Sequence, residues 1–145
     1  MRLIIQKVKT ASCTVDKKII GKIDYGFLIL VGFTAGDNLE NIDKAIKKII
    51  NLRIFPDEAG KMNLNIQQVG GSILSISQFT LYANTNEGNR PSFSEVMRPD
   101  EATKLYDEFN NRLKLANINV EVGIFGSHME IALINDGPVT IALEF

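Results

Sequence analysis

Before any helical signal appears, the chain passes through four short apolar or alternating runs, 2–9, 12–16, Lys18–Ile23 and Gly26–Phe33, each set off by turn residues. Runs of this length and pattern read as strands. The first break comes at Gly36-Asp37-Asn38. There Asp37, with Glu40 three residues on, fits a capping box, and Ile42, Ala45, Ile46, Ile49 and Ile50 form one stripe at helical spacing. The opposite face carries Lys44, Lys47 and Lys48. A face of that kind is usually only solvated, with RNA contact as the less common use.

Beyond this helix, Arg53-Ile54-Phe55 reads as extended and Pro56–Gly60 as a turn. A polar segment through Gln68 has room for one loose helical turn, and Gly70-Gly71 ends it. Ser72–Phe79 reads as a mostly buried strand that runs out into Ser77–Leu81. Asn84–Asn89 is a polar loop. Pro99 suits the first turn of a second helix, with Ala102, Leu105, Phe109 and Leu113 toward the core. Strands follow at about 119–124, 129–135 and 138–144, the last two joined by a turn at Gly137-Pro138. Many β elements, two helices and no regular β-α alternation predict an α/β fold. Its expected form is a mixed, curved sheet doubled over itself, with two main helices packed on one side.

A chain of 145 residues that is 45% hydrophobic reads as one domain, 1–145, able to bury a core without disulfides. Its single cysteine, Cys13, cannot pair within the chain and suits a reducing compartment. Neither a signal peptide nor a membrane span is evident, so a cytoplasmic location is expected. The net charge of −1 creates no whole-molecule field for nucleic acid. One histidine, His128, gives little basis for a Ser-His-Asp hydrolase and reads as a partly exposed structural residue. With one Cys and one His, no metal is expected. The glycines match neither a phosphate loop nor a dinucleotide fingerprint, so no cofactor is expected either.

Two strings remain. Ser77-Gln78-Phe79-Thr80 offers hydroxyls, a side-chain amide and successive backbone N–H groups at a strand end, a set suited to stabilising the oxyanion of acyl transfer. A strand with hydroxyl residues is the commoner meaning. Gly137-Pro138 can present bare backbone to a ligand, or serve as an ordinary hairpin loop.

Together, Ser77-Gln78-Phe79-Thr80-Leu81 and Asn135-Asp136-Gly137-Pro138-Val139-Thr140 resemble the D-aminoacyl-tRNA deacylase family. The similarity extends through Gln6-Lys7-Val8, Asn51–Phe55, Gly60–Leu64, Arg90-Pro91-Ser92-Phe93-Ser94, and Phe125-Gly126 followed by Met129. It implies a homodimeric, metal-free esterase that removes D-amino acids, and misattached glycine, from the 3′-terminal adenosine of tRNA.

By the same resemblance the Gly137-Pro138 bond is cis, and with Asn135 it completes, across the dimer, a pocket built by Ser77, Gln78, Phe79 and Thr80 of the other subunit. The N–H groups of Phe79 and Thr80 become oxyanion donors. Phe125, Gly126 and Met129 line the pocket. Whether Thr80, water or a ribose hydroxyl attacks stays open. Family members usually carry Arg at the position of Lys7, thought to brace the Gly-Pro turn, and basic residues where this chain has Glu87 and Asn89. The rival readings are a non-catalytic nucleic-acid-binding dimer and a generic small-molecule esterase.

Overall fold

In the computed structural model, which describes all of residues 1–145, the long N-terminal strand β1 (Arg2–Val15) organises the fold. Two strands were expected here. The chain does not break between them; instead β1 changes neighbour, pairing antiparallel with β3 (Gly26–Gly32) through Val8 and with β2 (Lys18–Ile23) from Ala11 onward. Its other edge pairs with β8 (Glu130–Glu144) along nearly its whole length.

Beyond β3 lie β6 (Ser72–Ser77) and then β7 (Asn119–Val122), both parallel to their neighbours, so the main sheet is mixed. A separate two-stranded piece joins β4 (Phe55–Pro56) and β5 (Met62–Leu64), and the loose helical turn expected in this polar segment follows it, where Val69 N–H donates to Asn65 O at 3.3 Å. The main sheet curls until its ends approach. At Gly21 of β2 an added Cβ would stand 3.2 Å from the Val122 carbonyl oxygen of β7, which leaves little room for a side chain.

The helices are α1 (Leu39–Asn51) and α2 (Pro99–Leu115). The apolar stripe of α1 is buried at Ile42, Ala45, Ile46 and Ile49, as its spacing predicts. Its cap differs by one residue. Asn38 accepts from Glu40 N–H and Asn41 returns the bond to Asn38 N–H, both at 2.9 Å. Asp37 is occupied elsewhere, by Thr34 N–H at 2.8 Å and the Met1 ammonium at 2.6 Å. In α2 the expected Ala102, Phe109 and Leu113 are buried together with Tyr106, while Leu105 is half-buried.

Both helices pack on one sheet face, where Leu3, Ile5, Phe27, Ile29 and Val31 meet Ile42, Ile49, Phe109 and Leu113 in the main core. Inside the curl, Ala11, Cys13, Ile23, Leu28, Leu74 and Ile76 belong to a second core. Strand β3 is therefore buried on both faces, which explains why its sequence is an unbroken apolar run. Each aliphatic side chain buried in this way contributes roughly 1.5–3 kcal/mol.

The C-terminal region departs most from expectation. The segments read as two strands with a connecting turn form the single strand β8, interrupted by a bulge. Asn135 pairs with Val8 and Thr140 with Gln6, so residues 136–139 loop out opposite Lys7 alone. Proline has no N–H for the ladder, and a bulge is where a paired strand accommodates it. The Gly137–Pro138 peptide is cis, and both residues are exposed.

Candidate active site

Strand β6 runs buried until Ile76 and then releases Ser77 and Gln78 to a half-buried position. Gln78 N–H donates to Val31 O at 2.7 Å, a last tie to β3. The chain then turns into a short 3-10 helix, Phe79–Tyr82, which begins when Leu81 N–H donates to Gln78 O at 3.2 Å. Phe79 and Thr80 thus occupy the first turn, whose amides have no acceptor earlier in the helix. Glycine at position 32 permits this approach. A Cβ there would stand 2.9 Å from Gln78 O and 3.1 Å from Leu81 Cβ.

Two contacts hold the far end of the 3-10 helix. Arg2 donates to Leu81 O at 3.1 Å, and its guanidinium lies 4.4 Å from the centroid of the Tyr82 ring. Within the turn, the Gln78 side-chain amide donates to the Thr80 hydroxyl.

Ser77, Gln78 and Phe79 face Phe125, Gly126 and Met129 around one cavity of about 680 Å³. That volume lies within the usual range for small-molecule sites. Val31, Phe33, Val96 and Met97 form apolar parts of its wall. The sequence supplied no signal for them beyond strand or loop character. His128 also lines the cavity, with an exposed side chain. At the mouth the rings of Phe79 and Phe93 meet edge to face, their centroids 5.1 Å apart.

The two sides of the cavity are joined from behind. The Ser75 carbonyl accepts from the Tyr106 hydroxyl at 2.8 Å and from Gly123 N–H at 3.0 Å. One acceptor thereby ties α2, β6 and the segment leading to Phe125. Burial pushes the Tyr106 pKa up, which keeps the hydroxyl protonated as a donor.

The remaining expected residues form a second cluster. Lys7, Asn135, Gly137 and Pro138 do not line the cavity of their own chain. Lys7 is buried, and its ammonium stands 3.1 Å from Asp136 Oδ2 at the base of the bulge. Thr80 lies outside the lining but is tied to it through Gln78. No group of three or more His, Cys, Asp or Glu side chains is placed to hold a metal ion, and no helix is long and apolar enough to cross a membrane.

The end of β6 thus leads into a 3-10 turn beside an open, largely apolar cavity, with Phe79 in its lining and Thr80 next to it. The sequence pattern of the D-Tyr-tRNA(Tyr) deacylase family matches residues 4–144, so the chain belongs to that family of hydrolases acting on carboxylic esters. It is 51% identical over 144 residues to a D-aminoacyl-tRNA deacylase of Lactobacillus gasseri, covering 99% of each chain. A solved structure described as a c-Myc DNA unwinding element binding protein superimposes with a TM-score of 0.94 at 35% identity, covering 100% of this chain and 99% of that one. A probable eukaryotic D-amino acid tRNA deacylase shares the fold, with a TM-score of 0.87 at 17% identity over 98% of this chain and 97% of its own.

Proposed function

We propose that the cavity receives the 3′-terminal aminoacyl-adenosine of D-aminoacyl-tRNA and that the protein hydrolyses its ester, acting also on glycine misattached to tRNA. The observation that carries this reading is the convergence of Ser77, Gln78 and Phe79 with Phe125, Gly126 and Met129 on one cavity. Membership of the deacylase family supports the ester as its occupant.

The ester carbonyl lies toward the amides of Phe79 and Thr80, where negative charge develops as the carbonyl carbon is attacked. A fixed donor of this kind contributes about 3 to 4 kcal/mol to transition-state stabilisation. Gln78 donates to Thr80 and, being an amide, is no base for its proton, so Thr80 positions the ester rather than attacking it. Water supplies the nucleophile, since attack by the neighbouring ribose hydroxyl would only move the acyl group between ribose oxygens and leave water to release it. With water, its oxygen bonds to the carbonyl carbon, the bond to the ribose oxygen breaks, and that oxygen takes up a proton.

Stereochemical selection belongs to a homodimer. Asn135, Gly137 and Pro138 of one protomer complete the cavity of its partner, since they stand apart from that cavity in their own chain. Strand β8 suits an interface. Its outer edge has no strand partner, and Ala132, Ile134, Thr140 and Ala142 are exposed along it. Backbone carbonyls at the Gly137-Pro138 bulge hold the α-amino group. A D side chain then points to solvent, while an L side chain collides with the bulge. Glycine, lacking a side chain, escapes exclusion. The lone cysteine and the tRNA substrate agree with a cytoplasmic site of action.

A non-catalytic nucleic-acid-binding role is the second reading, favoured by the name of the structural relative that is 35% identical. Incubation with D-aminoacyl-tRNA, L-aminoacyl-tRNA and a free ester separates the classes. Cleavage of the first alone supports the deacylase, cleavage of the free ester points to a general esterase, and inertness toward all three leaves the binding role.

A further inference from the structure

We infer that Phe93 is a stacking platform for the unpaired nucleotide that precedes the terminal adenosine, a subsite that extends the proposed cavity outward along the acceptor end of tRNA. Phe79 and Phe93 are 54% and 40% exposed at the cavity mouth, and together they form one adjoining apolar surface there. Their planes are inclined at 62°, so the edge of one ring meets the face of the other and aromatic surface remains open outward. Both rings border the cavity itself. A chain entering with its ester-bearing nucleoside inside must therefore pass its next base across this rim.

Charge alone does not explain the rim. Arg98 lines the cavity with a highly exposed side chain, but Asp100 stands 3.6 Å from it, and the exposed Glu87 and Glu95 share the loop with Arg90. An electrostatic groove of the usual kind would carry several unopposed cations. Stacking needs none, and a base placed on an aromatic ring gains affinity regardless of sequence. Arg98 is then left to meet the phosphate that links the two nucleosides. A single-stranded nucleic-acid end has the flat, polar-edged bases that fit a small aromatic surface continuous with the cavity.

The inference rests on the deacylase reading, and its test separates the two. D-Tyrosyl esters of adenosine and of the dinucleotide cytidylyl-adenosine are compared as substrates of the wild-type protein, Phe93→Leu and Phe93→Tyr. The expected result is a kcat/KM about tenfold higher on the dinucleotide for the wild type, carried by KM, within the range stacking provides. Phe93→Leu keeps apolar bulk but brings the ratio of the dinucleotide to the adenosine kcat/KM down to about one. Phe93→Tyr retains the advantage. Equal wild-type rates on the two esters, or equal losses on both in Phe93→Leu, overturn the subsite, as does a Phe93→Leu protein whose main change is in sedimentation. Wild-type inertness toward both esters and toward D-tyrosyl-tRNA overturns the deacylase reading itself.

Discussion

The Gln78 side-chain amide donates to the hydroxyl of Thr80 two residues on, and this bond fills an acceptor site of the threonine with a group that cannot serve as a strong base. A hydroxyl nucleophile requires the opposite arrangement, a base that takes its proton. Thr80→Ala should therefore keep turnover within about a hundredfold of the wild type, whereas loss of a true nucleophile costs on the order of a millionfold. Single-turnover kinetics measures the difference. A trapped acyl-Thr80 intermediate would contradict the positioning role.

Lys7 and Asp136 form a pair in which the lysine side chain is only 8% exposed and the aspartate 25%. Removing the carboxylate strands a buried ammonium, so Asp136→Ala should cost about 3 kcal/mol in urea unfolding. Lys7→Met, which keeps the apolar stem and removes the charge, should cost less. The double variant should fall well short of the summed single effects. Strict additivity would mean that the pair does not hold the bulge.

Gly32 lies far from Gln78 in sequence yet directly beneath its carbonyl. Gly32→Ala places a Cβ 2.9 Å from Gln78 O, a contact that moves backbone because neither atom belongs to a flexible side chain. Expected is a loss of kcat of at least about tenfold, since small misplacements of positioned groups cost that much or more, in a protein that still folds. Circular dichroism and kcat on the same preparation check it. Full activity would show that the 3-10 turn need not sit where it does.

Tyr82 is buried beneath Arg2, and its hydroxyl has no hydrogen-bond partner. Burial, aided by the Asp37 charge, pushes its pKa from 10.0 up to about 12. A raised pKa favours the protonated form in the fold. This contribution is fully present below pH 10 and is lost as pH rises from 10 to about 12. Tyr82→Phe should retain the stacking on Arg2, unfold at neutral pH with stability equal to or above the wild type, and lose less stability in that alkaline window. Urea midpoints across pH 8–12 test this.

Much of this architecture was legible in the sequence because local pattern and tertiary role agreed. The α1 stripe, the doubly buried β3 and the proline that opens α2 each carry their environment in their own spacing. Long-range pairing was not legible. Nothing within 2–16 says that β1 exchanges β3 for β2 while keeping β8, and nothing in Asn135–Thr140 distinguishes a hairpin turn from a bulge opposite one residue. The cap of α1 moved from Asp37 to Asn38 for a similar reason, since the claim on Asp37 comes from Met1 and Thr34. At the site, the motif residues were visible as a string, but Tyr106, Gly32 and Arg2 act through contacts with distant segments.

In the proposed mechanism, main-chain groups at the Gly137-Pro138 bulge, and no side-chain pocket, choose the substrate. The most direct measurement is single-turnover hydrolysis of matched D and L pairs of tyrosyl-, phenylalanyl- and aspartyl-tRNA by the wild-type protein. With D side chains directed away from the bulge, as proposed, the three D-esters should be cleaved at comparable rates, with glycyl-tRNA cleaved as well. The L-esters should be almost inert, since packed backbone does not yield to relieve the collision. Comparable cleavage of D-tyrosyl- and L-tyrosyl-tRNA, or D-ester rates that follow side-chain type, would contradict the account.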